Sequence, residues 1–466
     1  NLKIWINIML KRFALENFSS FKGVNYLDLT AGRAETHQNH YYDFGKIKVL
    51  KSAIIYGANA SGKSNLIKGI KFSQKIILQG VSNISNYKNY FRLGKDSMKK
   101  DTSFEYQIEL DNQFYIYGFQ INLSNEIISN EWLYRITSNA SNELIFDRDE
   151  KVIKLSKELI SNKKISNRFE VYIEDMKNQP NSLFLSEIAQ KDLDFKEIIV
   201  FNNLYNWFKT KLYIIFPNTI YGELNTINDN KDLSNLYKRY LNIFDTGVID
   251  LNSIEEDFET SMKYFPPELK KDLLKKLKDK NVQAINISGS NGELLSVYKD
   301  KKTDEIKVKK IGLIHGRKYQ DIFELKDESD GTRRLFDLIP LIDKFQGNDD
   351  FTIIIDEFDR SLHPKLTRGY FELFYHLNKS KTQLIVTTHE STLLDLDLVR
   401  RDEIWFVEKD EEGASSTFSL NKFKVRYDAQ VKKAYLLGRY GAIPLFKEIF
   451  NSFPEQEILD DMNFNE

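Results

Sequence analysis

The sequence predicts an α/β protein with a mixed sheet, a β-rich lobe and an inserted helical domain, and three observations carry that expectation. Apolar and β-branched runs at 49–56, 352–355, 383–386 and 403–407 read as strands buried on both faces, the pattern of a parallel sheet. A glycine-bearing turn and a helix-spaced apolar pattern at 64–77 follow the first of these runs. Between 104 and 133, apolar and polar residues alternate and are interrupted by Asp111-Asn112 and Ser124-Asn125, as in an antiparallel meander.

Taken in order, residues 10–29 read as two short strands around the turn-like Asn17-Phe-Ser-Ser-Phe-Lys-Gly23. Met9 reads as the natural start, with the apolar octet before it an artefact rather than a secretion signal, because no small-residue cleavage site follows. From 150 to 310 Lys, Asn, Asp and Glu become dense, and helical patches stand out at 195–207, 233–244 and 269–277. The lysine run at 270–280 reads as the solvated face of an amphipathic helix. The expected division is therefore 9–150 for the first half of a head with its β lobe and 151–310 for a helical insert. The second half of the head follows at 311–425, and 426–466 is a tail that either docks a partner or packs on the sheet.

At 466 residues the chain exceeds one compact core, and two to three domain-sized units are expected. Lys and Arg number 67 against 68 Asp and Glu, so no global field draws the molecule to nucleic acid or an anionic membrane. The absence of Cys excludes disulfides, thiolate metal sites and cysteine nucleophiles. No apolar stretch of about 18 residues is present, so no membrane-crossing helix is expected and the cytoplasm is the expected address. His37 and His40 have metal-like spacing but lie in a polar loop, and read as solvent-facing.

The sharpest chemical signal is Gly57-Ala-Asn-Ala-Ser-Gly62-Lys63-Ser64, a full match to G-x-x-x-x-G-K-[ST] between a strand and a helix. Gly57 and Gly62 let the backbone of Asn59, Ala60 and Ser61 curl with its N–H groups toward phosphates. Lys63 supplies a point charge, and Ser64 a hydroxyl for Mg²⁺. Asn65 and its neighbours open the helix, whose positive end adds to the field. The second element is Thr352-Ile-Ile-Ile-Asp356-Glu357, a buried strand that delivers two carboxylates at its C-terminal end, where ligands bind in open α/β sheets. Asp356 would anchor Mg²⁺ and Glu357 would polarise an attacking water. ATP and Mg²⁺ are the cofactors that follow.

Two further motifs carry a resemblance. Glu328-Ser329-Asp330-Gly331-Thr332 ahead of a helix-like run is similar to the signature motif of ABC-type ATPases, and Val386-Thr-Thr-His389 to their switch histidine. With Phe13 to Phe21, Ile355 to Pro364 and Tyr435 to Pro444, the chain resembles the SMC-like branch of ABC ATPases. More narrowly it is similar to bacterial abortive-infection and overcoming-lysogenization-defect ATPases. The resemblance implies a homodimer in which Ser329, Gly331 and Thr332 of one head complete the phosphate site of the other, with Ser361 in the loop that meets the opposing subunit. It also implies catalytic roles for Lys63, Glu357 and His389. No Q-loop glutamine is assigned, since neither Gln74 nor Gln79 stands in a persuasive context.

The expected function is ATP binding and hydrolysis in a sensor or scaffold of anti-phage defence. A toxin or nuclease would be the effector, and DNA or a phage protein the trigger. Only 77 residues follow His389 and they lack a spaced acidic set, so a TOPRIM nuclease is not expected within them. The alternative is an SMC-like DNA-binding ATPase of repair or chromosome maintenance, for which Lys301, Lys302, Lys307, Lys309, Lys310, Arg317 and Lys318 form a candidate patch.

Overall fold

Apolar strands that alternate their side chains between two faces must cover both, and this requirement organises the head. A computed structural model describes residues 8–443 apart from 84–87, 138, 140, 150–151, 192–194, 218–226, 228–229, 280–281, 283, 289–293, 301–302 and 424–429. Its central sheet has six strands in the order Leu212–Ile215, Thr352–Ile355, Gln383–Thr387, Ser52–Tyr56, Ile404–Lys409, Ser415–Ser419. The first five are mutually parallel and the last is antiparallel. Ala53, Ile55, Ile214, Ile354, Ile385 and Val407 point to one core, while Ile54, Tyr56, Ile353, Ile355, Leu384, Val386 and Phe406 point to the other. The helix Lys63–Gln79 lies on the first side and the helices Asp330–Gln346 and Pro364–Leu377 on the second. The expected α/β class holds.

The β lobe is a seven-stranded antiparallel sheet that contains Ile8–Glu16 and the expected meander of Thr102–Leu110, Gln113–Asn122 and Ile127–Ile136. Gln383 stitches the two sheets together. Its amide accepts from Leu10 N at 2.7 Å and Thr352 Oγ1 at 3.2 Å, and donates to Leu10 O at 2.8 Å and Leu50 O at 2.9 Å. Glu131 plays a similar part on the far side of the lobe, accepting from Phe184 N and Leu185 N at the start of a short helix.

The stretch 151–310 departs from the expected helical insert. It does contain helices, among them Lys163–Lys177, Ile199–Asn206, Lys231–Ile243 and Pro267–Lys276. It also contributes the edge strand Leu212–Ile215 to the central sheet. A further antiparallel sheet of Val248–Asp257, Ala284–Ser288, Leu294–Lys299 and Ile306–His315 extends to Asp321–Glu324. These strands escape a periodicity search for physical reasons. The run Leu212–Ile215 is too short to tell from buried helix, and the charged strands bury few residues each, Leu295, Val297 and Val308 against Leu273 and Leu277, and Ile311 and Leu313 in the core that also holds Leu325 and Leu335. In the lysine run, Lys271, Lys275 and Lys276 are exposed, as expected of a solvated helix face.

One smaller expectation, the solvent-facing reading of His40, is also corrected. His40 is 3% exposed, accepts or donates a 3.0 Å hydrogen bond with Glu403 and stacks on Tyr375, so its acid partner is distant in sequence. His37 bonds Leu396 O at 2.8 Å. Gln74 is buried and donates to Phe208 O and Leu212 O, a packing role. The described part of the tail packs on the sheet, with Tyr435 and Tyr440 stacked on Phe406. Residues 444–466 lie outside the described residues. Among the described residues no helix is long and apolar enough to cross a membrane.

Replacing Gln383 by Leu leaves the N–H and C=O of Leu10 and the Leu50 carbonyl without partners. The expected cost is roughly 1–3 kcal/mol for each orphaned group, read as a lower urea midpoint. An unchanged midpoint would mean that the two sheets are held by their apolar contacts alone.

Candidate nucleotide-binding site

Three neighbouring parallel strands end at one place. Ser52–Tyr56 runs into Gly57, Gln383–Thr387 runs toward His389, and Thr352–Ile355 delivers Asp356 and Glu357. The glycines are required by close approach. A Cβ on Gly57 would lie 2.4 Å from Val407 O, and one on Gly62, which has φ +118°, would lie 2.3 Å from Ser415 Oγ. Between them Asn59 and Ala60 are exposed, and Ala60 adopts φ 61°. The Ser61 hydroxyl is buried without a hydrogen-bond partner. The loop is braced from behind by Ser415, whose Oγ donates to Ser61 O at 2.5 Å and lies 2.7 Å from Ser20 Oγ, from which it can accept.

Lys63 opens the helix and curls back so that Nζ donates to Gly57 O at 2.8 Å and Ala58 O at 3.1 Å. Burial lowers its pKa to about 8, against the opposing pull of Asp356, Asp359 and Glu357. Ser64 Oγ lies 3.2 Å from Asp356 Oδ1, which also accepts from Thr387 Oγ1 at 2.6 Å. A serine hydroxyl beside a buried carboxylate is a hard-oxygen donor set that fits Mg²⁺. Asn65, expected to serve the nucleotide, instead turns its amide to Ser20 Oγ at 3.0 Å.

Glu357 follows with φ 48°, and Ser361 has φ 62°. Left-handed backbone at non-glycine residues costs roughly 1–3 kcal/mol each and persists only where neighbours impose it. Here Glu357 N donates to Thr387 Oγ1 at 2.8 Å, while Arg360 N at 3.1 Å and the buried Arg334 at 3.4 Å donate to Glu357 O. His389 stands at the solvent edge, its backbone N–H bonded to Asp359 at 3.3 Å. Partial burial and then the Lys63 charge lower its pKa, with Asp359, Glu357 and Asp356 opposing.

The structure therefore brings Lys63, Ser64, Asp356, Glu357 and His389 together. Ser329, Gly331 and Thr332 form a second group against Ser361. Ser329 caps the helix Asp330–Gln346 by accepting from Thr332 N at 3.1 Å, and a Cβ on Gly331 would lie 2.8 Å from Ser361 O. Ser329 and Ser361 are exposed, whereas Thr332 is buried with its hydroxyl 3.0 Å from Ser329 Oγ. Thr332 thus supports Ser329. Sequence reasoning missed Thr387, Asp359, Arg334, Ser20 and Ser415. Thr387 and Asp359 adjoin recognised motifs, and Ser20 lies in the first turn, but nothing local marks Ser415.

Among solved structures, three SMC heads are similar to this chain at TM-scores below 0.4. One is an SmcHead bound to the C-winged helix domain of ScpA, at 13% identity and TM-score 0.35, covering 88% of this chain and 97% of that one. The SMC head domain of Thermotoga maritima has 12% identity and TM-score 0.36, covering 88% and 98%. The Pyrococcus furiosus Smc head with an extended coiled coil, bound to the C-terminal domain of ScpA, has 13% identity and TM-score 0.38, covering 93% and 99%. No curated protein matches. The family described as AAA domain, putative AbiEii toxin, Type IV TA system, matches residues 52–395. That span runs from the strand ahead of the glycine loop to just past His389 and takes in more than half of the chain, which belongs to this AAA-domain family.

Proposed function

We propose that the chain binds ATP with Mg²⁺ and hydrolyses it. In this reading two copies pair head to tail, and their ATP-dependent engagement controls a toxin or nuclease partner in anti-phage defence. The observation that carries the chemistry is the meeting of Lys63, Ser64, Asp356, Glu357 and His389 at the ends of three parallel strands. The curled loop offers backbone N–H groups and the helix end to phosphate oxygens, and Lys63 adds its charge to the terminal ones. Ser64 and Asp356 would hold Mg²⁺, which when bound neutralises charge on the phosphates. Glu357 orients and polarises the attacking water, and His389 reaches the departing phosphate from the solvent edge.

Pairing of two heads is supported by the exposed Ser329 and Ser361, which the close approach of Gly331 to Ser361 O brings to one face, where a phosphate held by a second copy would meet the helix end that Ser329 caps. The defence role rests on family membership and on the resemblance to abortive-infection ATPases. The cytoplasm is the compartment that suits it. The alternative reading, duplex binding, loses much of its basic patch. Lys307 pairs with Asp300 at 3.2 Å, Lys309 with Glu255 at 3.8 Å, and Lys310 with Glu256 at 2.8 Å and Glu324 at 3.4 Å. Lys301 and Lys302 lie outside the described residues.

Lys63→Ala is expected to abolish tight ATP binding in a fluorescent-nucleotide titration, and retained affinity would remove Lys63 from the site. Glu357→Gln is expected to keep binding, slow turnover by roughly 10²–10⁴-fold and accumulate an ATP-dependent pair of heads on size exclusion. Wild-type turnover in that variant would dismiss Glu357 as the base. Because Lys63 loses its proton near pH 8 in the free site, ATP affinity should weaken as pH rises through about 8, with proton uptake on binding above it. A pH-independent affinity between 7 and 9.5 would show that another group supplies the charge.

A further inference from the structure

The residue before the exposed serine that caps the helix Asp330–Gln346 is tied by a side-chain pair to the strand Ile306–His315. His315 ends the strand Ile306–His315 and is paired in register with Val248 on one side and Asp321 on the other. Its Nε2 lies 2.5 Å from Oε1 of Glu328, the residue immediately before Ser329. The ring is held in place, edge-on to Phe323 at 5.1 Å, with Nδ1 facing Gly247, where a Cβ would stand 3.5 Å away. The side chain of Glu328 is only 8% exposed. A carboxylate so enclosed needs its partner, and without one it would move toward water and carry Ser329 with it.

Two of the other ties that hold this turn are local. Glu324 and Asp327 cap each other's backbone around the buried Leu325, and Ser329 accepts from Thr332 N. Two side-chain pairs reach from the turn into the antiparallel sheet formed with Val248–Asp257 and Leu294–Lys299: Lys310 bonds Glu324 at the start of the turn at 3.4 Å, and His315 bonds Glu328, the residue that adjoins Ser329. We infer that His315, acting through Glu328, is a positioning residue for Ser329, so that the set of this outer sheet fixes the half-site one head presents to the ATP of its twin. The inference rests on the head-to-tail reading.

The test uses the full chain. His315→Ala and Glu328→Ala should each leave ATP affinity unchanged, because neither touches the Lys63 pocket, and should lower turnover at least roughly tenfold. The double variant should be no slower than either single one, and His315→Gln, whose amide can replace Nε2 as a donor, should recover most of the loss. Co-expression then separates the two heads. Lys63→Ala paired with His315→Ala should recover about a quarter of wild-type turnover, because half of randomly formed pairs contain one pocket built from intact parts. Lys63→Ala paired with Ser329→Arg is the control and should recover the same share. Recovery in the control but not with His315→Ala, or wild-type turnover of His315→Ala alone, overturns the inference and leaves the head-to-tail reading standing. No recovery in the control overturns that reading, and the inference with it.

Discussion

Asp356 is a carboxylate with 3% exposure, and a charge in that position is tolerable only where hydrogen bonds replace the water it has lost. Thr387 from the neighbouring strand and Ser64 from the helix after the glycine loop supply them. One buried group thus pins three segments whose residues lie far apart in the chain. The same Thr387 hydroxyl that donates to Asp356 accepts from Glu357 N, so the next acid is fixed by the first. Strain follows from this arrangement, since Glu357 is held in left-handed backbone by bonds at both of its peptide groups.

The rest of the head exists to keep those strand ends in register. Two cores, one on each face of the central sheet, lock the strands laterally, and Gln383 stitches the sheet to the β lobe beneath. The glycine loop is confined between Val407 and Ser415, which explains glycine at both 57 and 62 better than turn propensity alone. Behind the site, Ser20 and Ser415 join the turn at Phe18–Phe21 to the antiparallel strand of the central sheet, so segments far apart in the sequence bear on the same loop.

Ser329 and its helix belong to a different mechanical unit. Their anchors are Ser361, Arg334, which bonds Glu357 O and so links this helix to the pocket of the same copy, and the His315–Glu328 pair, which leads away from it to the outer sheet. An exposed, well-anchored serine beside an exposed loop is a surface prepared for contact. In the charged outer sheet Lys309 and Lys310 are paired with acids of the adjoining strands.

Much of this was legible in the sequence because its signals are local. The glycine spacing, the helix after it, the Asp356-Glu357 pair at the end of an apolar run and the meander are all written in neighbouring residues, and their physics depends on backbone freedom, burial and periodicity. What the linear pattern left open depends on distant partners. That His40 finds Glu403, that Asn65 serves Ser20, that Thr387 rather than a nearer residue steadies both acids, and that Leu212–Ile215 joins the central sheet are decided by three-dimensional proximity. The sequence by itself determined the α/β class and the chemistry of the loop and acids. Only the tertiary structure decided which hydroxyls, carbonyls and histidines surround them, because a buried polar group is satisfied by whatever folding brings within hydrogen-bonding distance.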